Sequence, residues 1–137
     1  AAGYRILSRS DEAAVDMFTR AGDSPFLFLQ GHPEYDSGAL LREYRRDIGR
    51  FLAHERPSYP EMPAGYVPEA AAAALFAFRE QALRQRIPEL LAEFPEQETA
   101  RQLAAPWRAG AVRLYANWLS GLARRRDAPA ATTGVSV

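Results

Sequence analysis

The sequence predicts an α/β fold: a small, mostly antiparallel sheet of about three strands, followed by three or more helices. Three observations carry this. Three short segments with strand-like apolar patterning lie within the first 30 residues, joined by brief connections rich in Gly, Pro, Ser and Asp. Short connections suit antiparallel pairing, because parallel strands need a long crossover. Beyond residue 36 the apolar residues recur at three- and four-residue intervals, the period of a helix face.

The elements follow in order. Tyr4 to Ser8 reads as a first strand, and Ser10-Asp11-Glu12 as a turn. Ala14 to Thr19 reads as a second strand, with Val15 and Met17 on one face, and Arg20 to Pro25 as the next turn. Phe26 to Gln30 is a third strand, apolar up to Gln30, which predicts cover on both faces. Asp36 or Ser37 can cap the helix that follows. Its stripe is Leu40, Leu41, Tyr44, Ile48, Phe51 and Leu52, while Arg42, Arg46 and Arg50 share another side with Glu43 and Asp47 as countercharges.

Residues 56 to 68 hold four prolines and form neither a regular helix nor a central strand. They read as an ordered loop anchored by Tyr59, Met62 and Tyr66. A second helix spans about Glu69 to Arg86, with Leu75, Phe76, Phe78 and Leu83 as packing residues, and Pro88 ends or kinks it. Leu90, Leu91 and Phe94 predict a further turn or two before Pro95. A last helix starts between Pro95 and Pro106 and runs to about Arg124, with Trp107, Ala111, Leu114, Trp118 and Leu122 on one face. Arg124-Arg125-Arg126 suits its C-terminus, where cations meet the negative end of the helix dipole. Residues 1–126 are therefore expected to form the folded portion, and 127–137 a flexible tail of small residues.

Composition narrows the function classes. With 47% hydrophobic and 25% charged residues, the chain has the balance of a soluble globular protein. Its formal net charge is zero, so no overall field favours nucleic acid or an anionic membrane as partner. No apolar run reaches membrane-spanning length, and the first five residues do not read as a signal peptide. A cytoplasmic location is the expectation. The chain has no cysteine and two histidines, His32 and His54. This excludes disulfides, thiolate metal sites and cysteine nucleophiles within the chain, and a histidine-rich metal site as well. No metal or bound cofactor is expected.

One stretch concentrates acid–base chemistry. After the apolar third strand come Gly31, His32, Pro33 and Glu34. In extended backbone, residues i and i+2 point to the same side, and Pro33 biases His32 toward that geometry. A carboxylate beside an imidazole fixes its tautomer and stabilises the imidazolium formed on proton uptake. The pair can therefore act as a base with its orienting group. A surface or structural role for so short a tripeptide stays open on the same residues, as does a merely solvated face for the arginines of the first helix.

A longer pattern bears on that choice. Gln30-Gly31-His32-Pro33-Glu34-Tyr35-Asp36, then Leu40, then Glu43-Tyr44-Arg45-Arg46-Asp47, resembles the signature of the homoserine O-succinyltransferase family. Pro57-Ser58-Tyr59-Pro60, Trp107-Arg108 and Asn117-Trp118-Leu119 resemble its later, weaker motifs. The resemblance implies the C-terminal portion of a class I glutamine amidotransferase-like, flavodoxin-like fold. It implies transfer of an acyl group from succinyl-CoA or acetyl-CoA, as co-substrate, to the hydroxyl of homoserine, in methionine biosynthesis. It casts His32 as general base, Glu34 as its orienting group and Arg46 as the residue that binds the homoserine carboxylate. Arg42 and Arg45 receive no role.

The sequence also departs from that pattern. The nucleophilic cysteine belongs to an N-terminal half that this chain lacks, so the chain alone is expected to be inactive. Residues 69–103 replace a short link with a longer helical segment, and Ser120-Gly121-Leu122-Ala123 replaces an aromatic-rich ending. Two other readings stand beside the acyltransferase: a class I glutamine amidotransferase fragment, whose strand also ends in His-Pro-Glu, and a non-catalytic helical assembly module. A sheet lacking the rest of its fold exposes a face and an edge, which predicts self-association as a homodimer.

Overall fold

The computed structural model describes residues 3–22 and 24–127. Three strands come first: β1 (Tyr4–Ser8), β2 (Met17–Arg20) and β3 (Phe26–Leu29). Four α-helices follow: α1 (Ala39–Leu52), α2 (Glu69–Arg84), α3 (Glu96–Ala100) and α4 (Arg108–Asp127), with a 3-10 helix at Pro88–Glu93 between α2 and α3. The expected three antiparallel strands and subsequent helices are all present. The chain divides into two compact units, one made of the strands and α4, the other of residues 35–106.

In the sheet unit the strand order is β1-β2-β3, antiparallel throughout. The first turn forms where Ser10-Asp11-Glu12 placed it. The Ser10 hydroxyl accepts the Ala13 N–H at 3.1 Å and donates to Asp16 at 2.7 Å. The second strand starts later than expected, at Met17. Ala14 has φ 57°, a left-handed conformation that breaks an extended run. The ladder also slips between Ile6 and Ser8, which pair with Phe18 and Met17, so Leu7 bulges out of register.

The register gathers Tyr4, Ile6, Phe18, Phe26 and Phe28 on one face. Their rings pack on one another: Phe18 and Phe28 stack at 4.6 Å, and Tyr4 lies 6.0 Å from Phe18. The expectation that β3 is covered on both faces is not met. Phe26 is 50% exposed, and no strand residue is fully buried. The aromatic rings pack on one another and remain partly exposed.

Helix α4 begins just after the interval expected for it, because Glu96–Ala100 forms a separate short helix ahead of Pro106. Ala111 is buried and Leu114, Trp118 and Leu122 are half-buried, as the spacing indicated. Val112 and Leu119 occupy another side and are exposed. Asp127, expected in the tail, closes this helix, and residues 128–137 of that tail lie outside the described residues.

The helical unit has a full core. Leu41, Tyr44, Ile48, Phe51 and Leu52 from α1 meet Leu75, Phe78 and Ala82 from α2, with Leu90 and Phe94. Burying an aliphatic or aromatic side chain of this size stabilises by roughly 1.5–3 kcal/mol. Phe76 and Leu83, expected to pack, are exposed. The physical reason is the helix period: Ala71, Leu75, Phe78 and Ala82 share one side of α2, and positions 76 and 83 fall on the other. Gly49 is the close-approach point of α1, since a Cβ there would stand 3.0 Å from the Leu91 side chain.

The proline-rich loop is tied down by the residues the sequence picked out. Tyr59 packs edge-on against Phe51 at 5.3 Å, and Tyr66 hydroxyl donates to the Ser37 carbonyl while accepting the Leu41 N–H at 3.3 Å. Arg86 fastens the end of α1. It donates to the Phe51 carbonyl at 2.7 Å and the Arg56 carbonyl at 2.6 Å, with its guanidinium 4.1 Å over the Phe51 ring.

Candidate active site

β3 delivers the segment of interest. Its Leu27 and Leu29 are half-buried and hold the strand in the sheet, and the chain leaves it at Gln30. Pro33 and Glu34 then form a turn, so His32 and Glu34 meet across a bend and not along an extended strand. They still meet: His32 Nδ1 lies 2.8 Å from Glu34 Oε1. Both side chains are more than half exposed. The bond to His32 holds the Glu34 carboxyl below its ordinary value of 4.5. An ionised Glu34 can accept a hydrogen bond from Nδ1–H.

Arg46 belongs to the helical unit, on the exposed side of α1. Its Nε donates to Asp47 Oδ1 at 3.3 Å, and the other oxygen of Asp47 pairs with Arg56 at 3.2 Å. Asp47 thus engages one edge of the Arg46 guanidinium. The terminal nitrogens make no ion pair among the described residues, so they can offer a two-pronged grip to a carboxylate.

Further side-chain bonds surround the start of α1. Glu43, taken as a countercharge for the arginines, accepts a hydrogen bond from the Tyr35 hydroxyl at 2.6 Å. Arg42, left without a role, donates to Asp36 Oδ2 at 3.0 Å, and that bond holds the Asp36 carboxyl below its ordinary range. The other oxygen of Asp36 accepts the Gly38 N–H at 2.8 Å. The expected cap by Asp36 or Ser37 is not formed: Gly38 holds the N-cap position without a side-chain cap bond, and Asp36 instead accepts the N–H of that glycine ahead of the helix. A Cβ on Gly38 would stand 2.9 Å from the tip of the exposed Arg42 side chain, which is free to shift aside. The available signal is the spacing of Asp36 from Arg42 and of Tyr35 from Glu43, six and eight positions across the helix start.

Among the described residues no group of three or more His, Asp or Glu side chains could hold a metal ion, and no helix is long and apolar enough to cross a membrane.

Comparison with known proteins bears on this arrangement. A family model for homoserine O-succinyltransferase matches residues 1–127. Homoserine O-succinyltransferase of Methylorubrum extorquens is 46% identical over 120 residues, 88% of this chain and 36% of the relative. That of Rhodopseudomonas palustris is 46% identical over 123 residues, 90% of this chain and 37% of the relative. That of Bradyrhizobium japonicum is 46% identical over 121 residues, 88% of this chain and 37% of the relative. The chain thus spans about a third of the length of the curated relatives it matches. No solved structure matches it. With a family match reaching from the first strand to the end of α4, the chain belongs to the homoserine O-succinyltransferase family.

Proposed function

We propose that this chain supplies the general base, its orienting carboxylate and the acceptor-binding arginine of a homoserine O-acyltransferase acting in methionine biosynthesis. The observation that carries the reading is the 2.8 Å bond between His32 Nδ1 and Glu34 Oε1 at the end of β3, inside the segment that carries the family resemblance. The sequence contains no cysteine, so the nucleophile comes from a polypeptide segment beyond it, the N-terminal half of a class I glutamine amidotransferase-like fold. In that assembly residues 1–126 form the C-terminal portion of the domain, which works as a homodimer in the cytoplasm.

The chemistry runs in two halves. His32 Nε2 takes the proton of the cysteine thiol, and the thiolate attacks the acyl-CoA carbonyl. The coenzyme A thiolate leaves and takes the proton back from the imidazolium, so an acyl-cysteine remains. His32 then removes the homoserine hydroxyl proton as that oxygen attacks the thioester. The cysteine thiolate departs and is reprotonated, which restores the starting state. Glu34 keeps the ring oriented and stabilises its charged form at both stages. Arg46 grips the acceptor carboxylate. The donor is succinyl-CoA, in keeping with the name that the relatives carry.

The test uses the enzyme reconstituted with its cysteine-bearing portion. His32→Ala should abolish acyl transfer, with a loss on the order of 10²–10⁴-fold. Arg46→Ala should chiefly raise KM for homoserine and leave KM for succinyl-CoA near its starting value. Full activity of His32→Ala, or glutamine hydrolysis without acyl transfer, would overturn the proposal.

A further inference from the structure

Within the sheet unit, away from His32, a cleft of about 340 Å³ opens between α4 and the end of the sheet where β3 begins. Arg5, Arg20 and Arg125 line it, with Thr19, Asn117 and the half-buried Trp118. Its described lining residues carry positive charge only. The chain as a whole is neutral, with 17 basic and 17 acidic residues. Arg42, Arg45, Arg46, Arg50, Arg56, Arg79 and Arg126 each pair with a carboxylate. The three arginines of the cleft make no ion pair among the described residues, and no carboxylate appears among its described lining residues.

The positions follow from the register. Arg5 pairs with Thr19 across β1 and β2, which puts both side chains on the same face of the sheet. Arg20 stands at the rim, its guanidinium 5.9 Å from the Tyr4 ring. Arg125 comes from the last turn of α4, two turns beyond Trp118. Arg5 from a strand and Arg125 from a helix line the cleft, with no carboxylate among its described lining residues, and guanidinium groups so placed can hold an anion with several oxygens. The indole adds a flat apolar surface, and Asn117 adds an amide that both donates and accepts.

We propose that this cleft binds the phosphate groups of a nucleotide, with Arg5 and Arg125 as the principal phosphate contacts and Trp118 against the base or ribose. Such a group can be a free nucleotide or the adenine-nucleotide end of coenzyme A. The second source rests on the acyl-CoA reading above, whereas the first does not. The cleft and His32 lie toward opposite ends of β3, so the nucleotide site is separate from the proton-transfer site.

The experiment is calorimetric titration of the 137-residue chain with coenzyme A, ADP and inorganic phosphate. Arg5→Ala, Arg125→Ala and the control Arg113→Ala, on α4 outside the cleft, are titrated alongside. Both nucleotides should bind, with affinity falling as salt rises. Arg5→Ala and Arg125→Ala should each weaken binding about tenfold, the scale of one charge-assisted hydrogen bond, and Arg113→Ala should not. Circular dichroism of each variant separates lost binding from lost folding, and Arg5→Gln and Arg125→Gln repeat the comparison if either alanine variant unfolds. Coenzyme A binding well above ADP links the cleft to the acyl donor. Equal affinities keep the nucleotide site and overturn that link alone, leaving the acyl-transfer reading to its own test. Absence of nucleotide binding, or binding unchanged in both arginine variants, overturns the proposal.

Discussion

The two units of this chain meet the same demand in different ways. In α1 and α2 the residues at 41, 44, 48, 51, 52, 75 and 78 are buried against one another. In the sheet unit comparable apolar residues are present, yet Tyr4, Ile6, Phe26 and Phe28 remain exposed and contact mainly their neighbouring rings. The difference lies in where the covering layer comes from. Each helix stripe is met by apolar residues of its own unit, whereas the aromatic sheet face stays exposed among the described residues. An apolar run in a sequence therefore reports that a surface requires cover and is silent on what provides it.

Substitutions can break or sharpen this contrast. The largest effect is expected in the helical core. Ile48→Ala should cost about 2–5 kcal/mol in denaturant unfolding, because Ile48 is fully buried and its loss leaves a cavity. Phe28→Ala in the sheet should cost distinctly less, about 1 kcal/mol, since its ring is already 38% exposed and loses chiefly the stack on Phe18. Equal losses would show that the sheet face is covered in solution.

Arg86→Ala comes next. It leaves the Phe51 and Arg56 carbonyls without their donor and removes the guanidinium from the Phe51 ring, for about 1–3 kcal/mol. Wild-type stability in that variant would show that the Arg86 clamp does not stabilise the helical unit. Smaller still, His54→Gly should raise the melting temperature of the helical unit. His54 holds φ 63° directly after the α1 cap, where glycine relieves about 0.5–1 kcal/mol of backbone strain. Ala14→Gly tests the same strain in the β1–β2 connection at φ 57°.

The smallest effect concerns the exposed pair. The Glu34 pKa is lowered on folding, so whatever the ionised pair contributes is fully present above the unfolded value of 4.5. It is lost as pH falls through the lower folded value. A carbon-detected NMR titration should place the Glu34 midpoint below 4.5, and His32→Ala should return it toward 4.5. A midpoint unchanged by that substitution would dissociate the two side chains.

Much of this was legible in the sequence. Periodicity located α1 and α2 because their stripes close a local core, and turn chemistry at Ser10 and at Asp36 located two element boundaries. The His32–Glu34 bond was legible because the residues are two apart with a proline between them. Left-handed backbone at Ala14 was not, since nothing about alanine announces it. Nor were the bonds of Glu43, Arg42 and Arg86, whose partners are chosen by the path of the loops. Phe76 and Leu83 are as apolar as the packing residues, and only the helix period, which sets them on the other side of α2 from Leu75 and Phe78, shows that they stay exposed.

β3 is bonded to β2 and, among the described residues, to no strand on its other edge. Only four residue pairs hold it, and His32 follows three positions after its last residue. Thermodynamic linkage then applies to that edge. Any chain that pairs along β3 and steadies the turn at residues 32–34 changes how readily a ligand is held by His32. By reciprocity, a ligand held by His32 strengthens that pairing by the same factor.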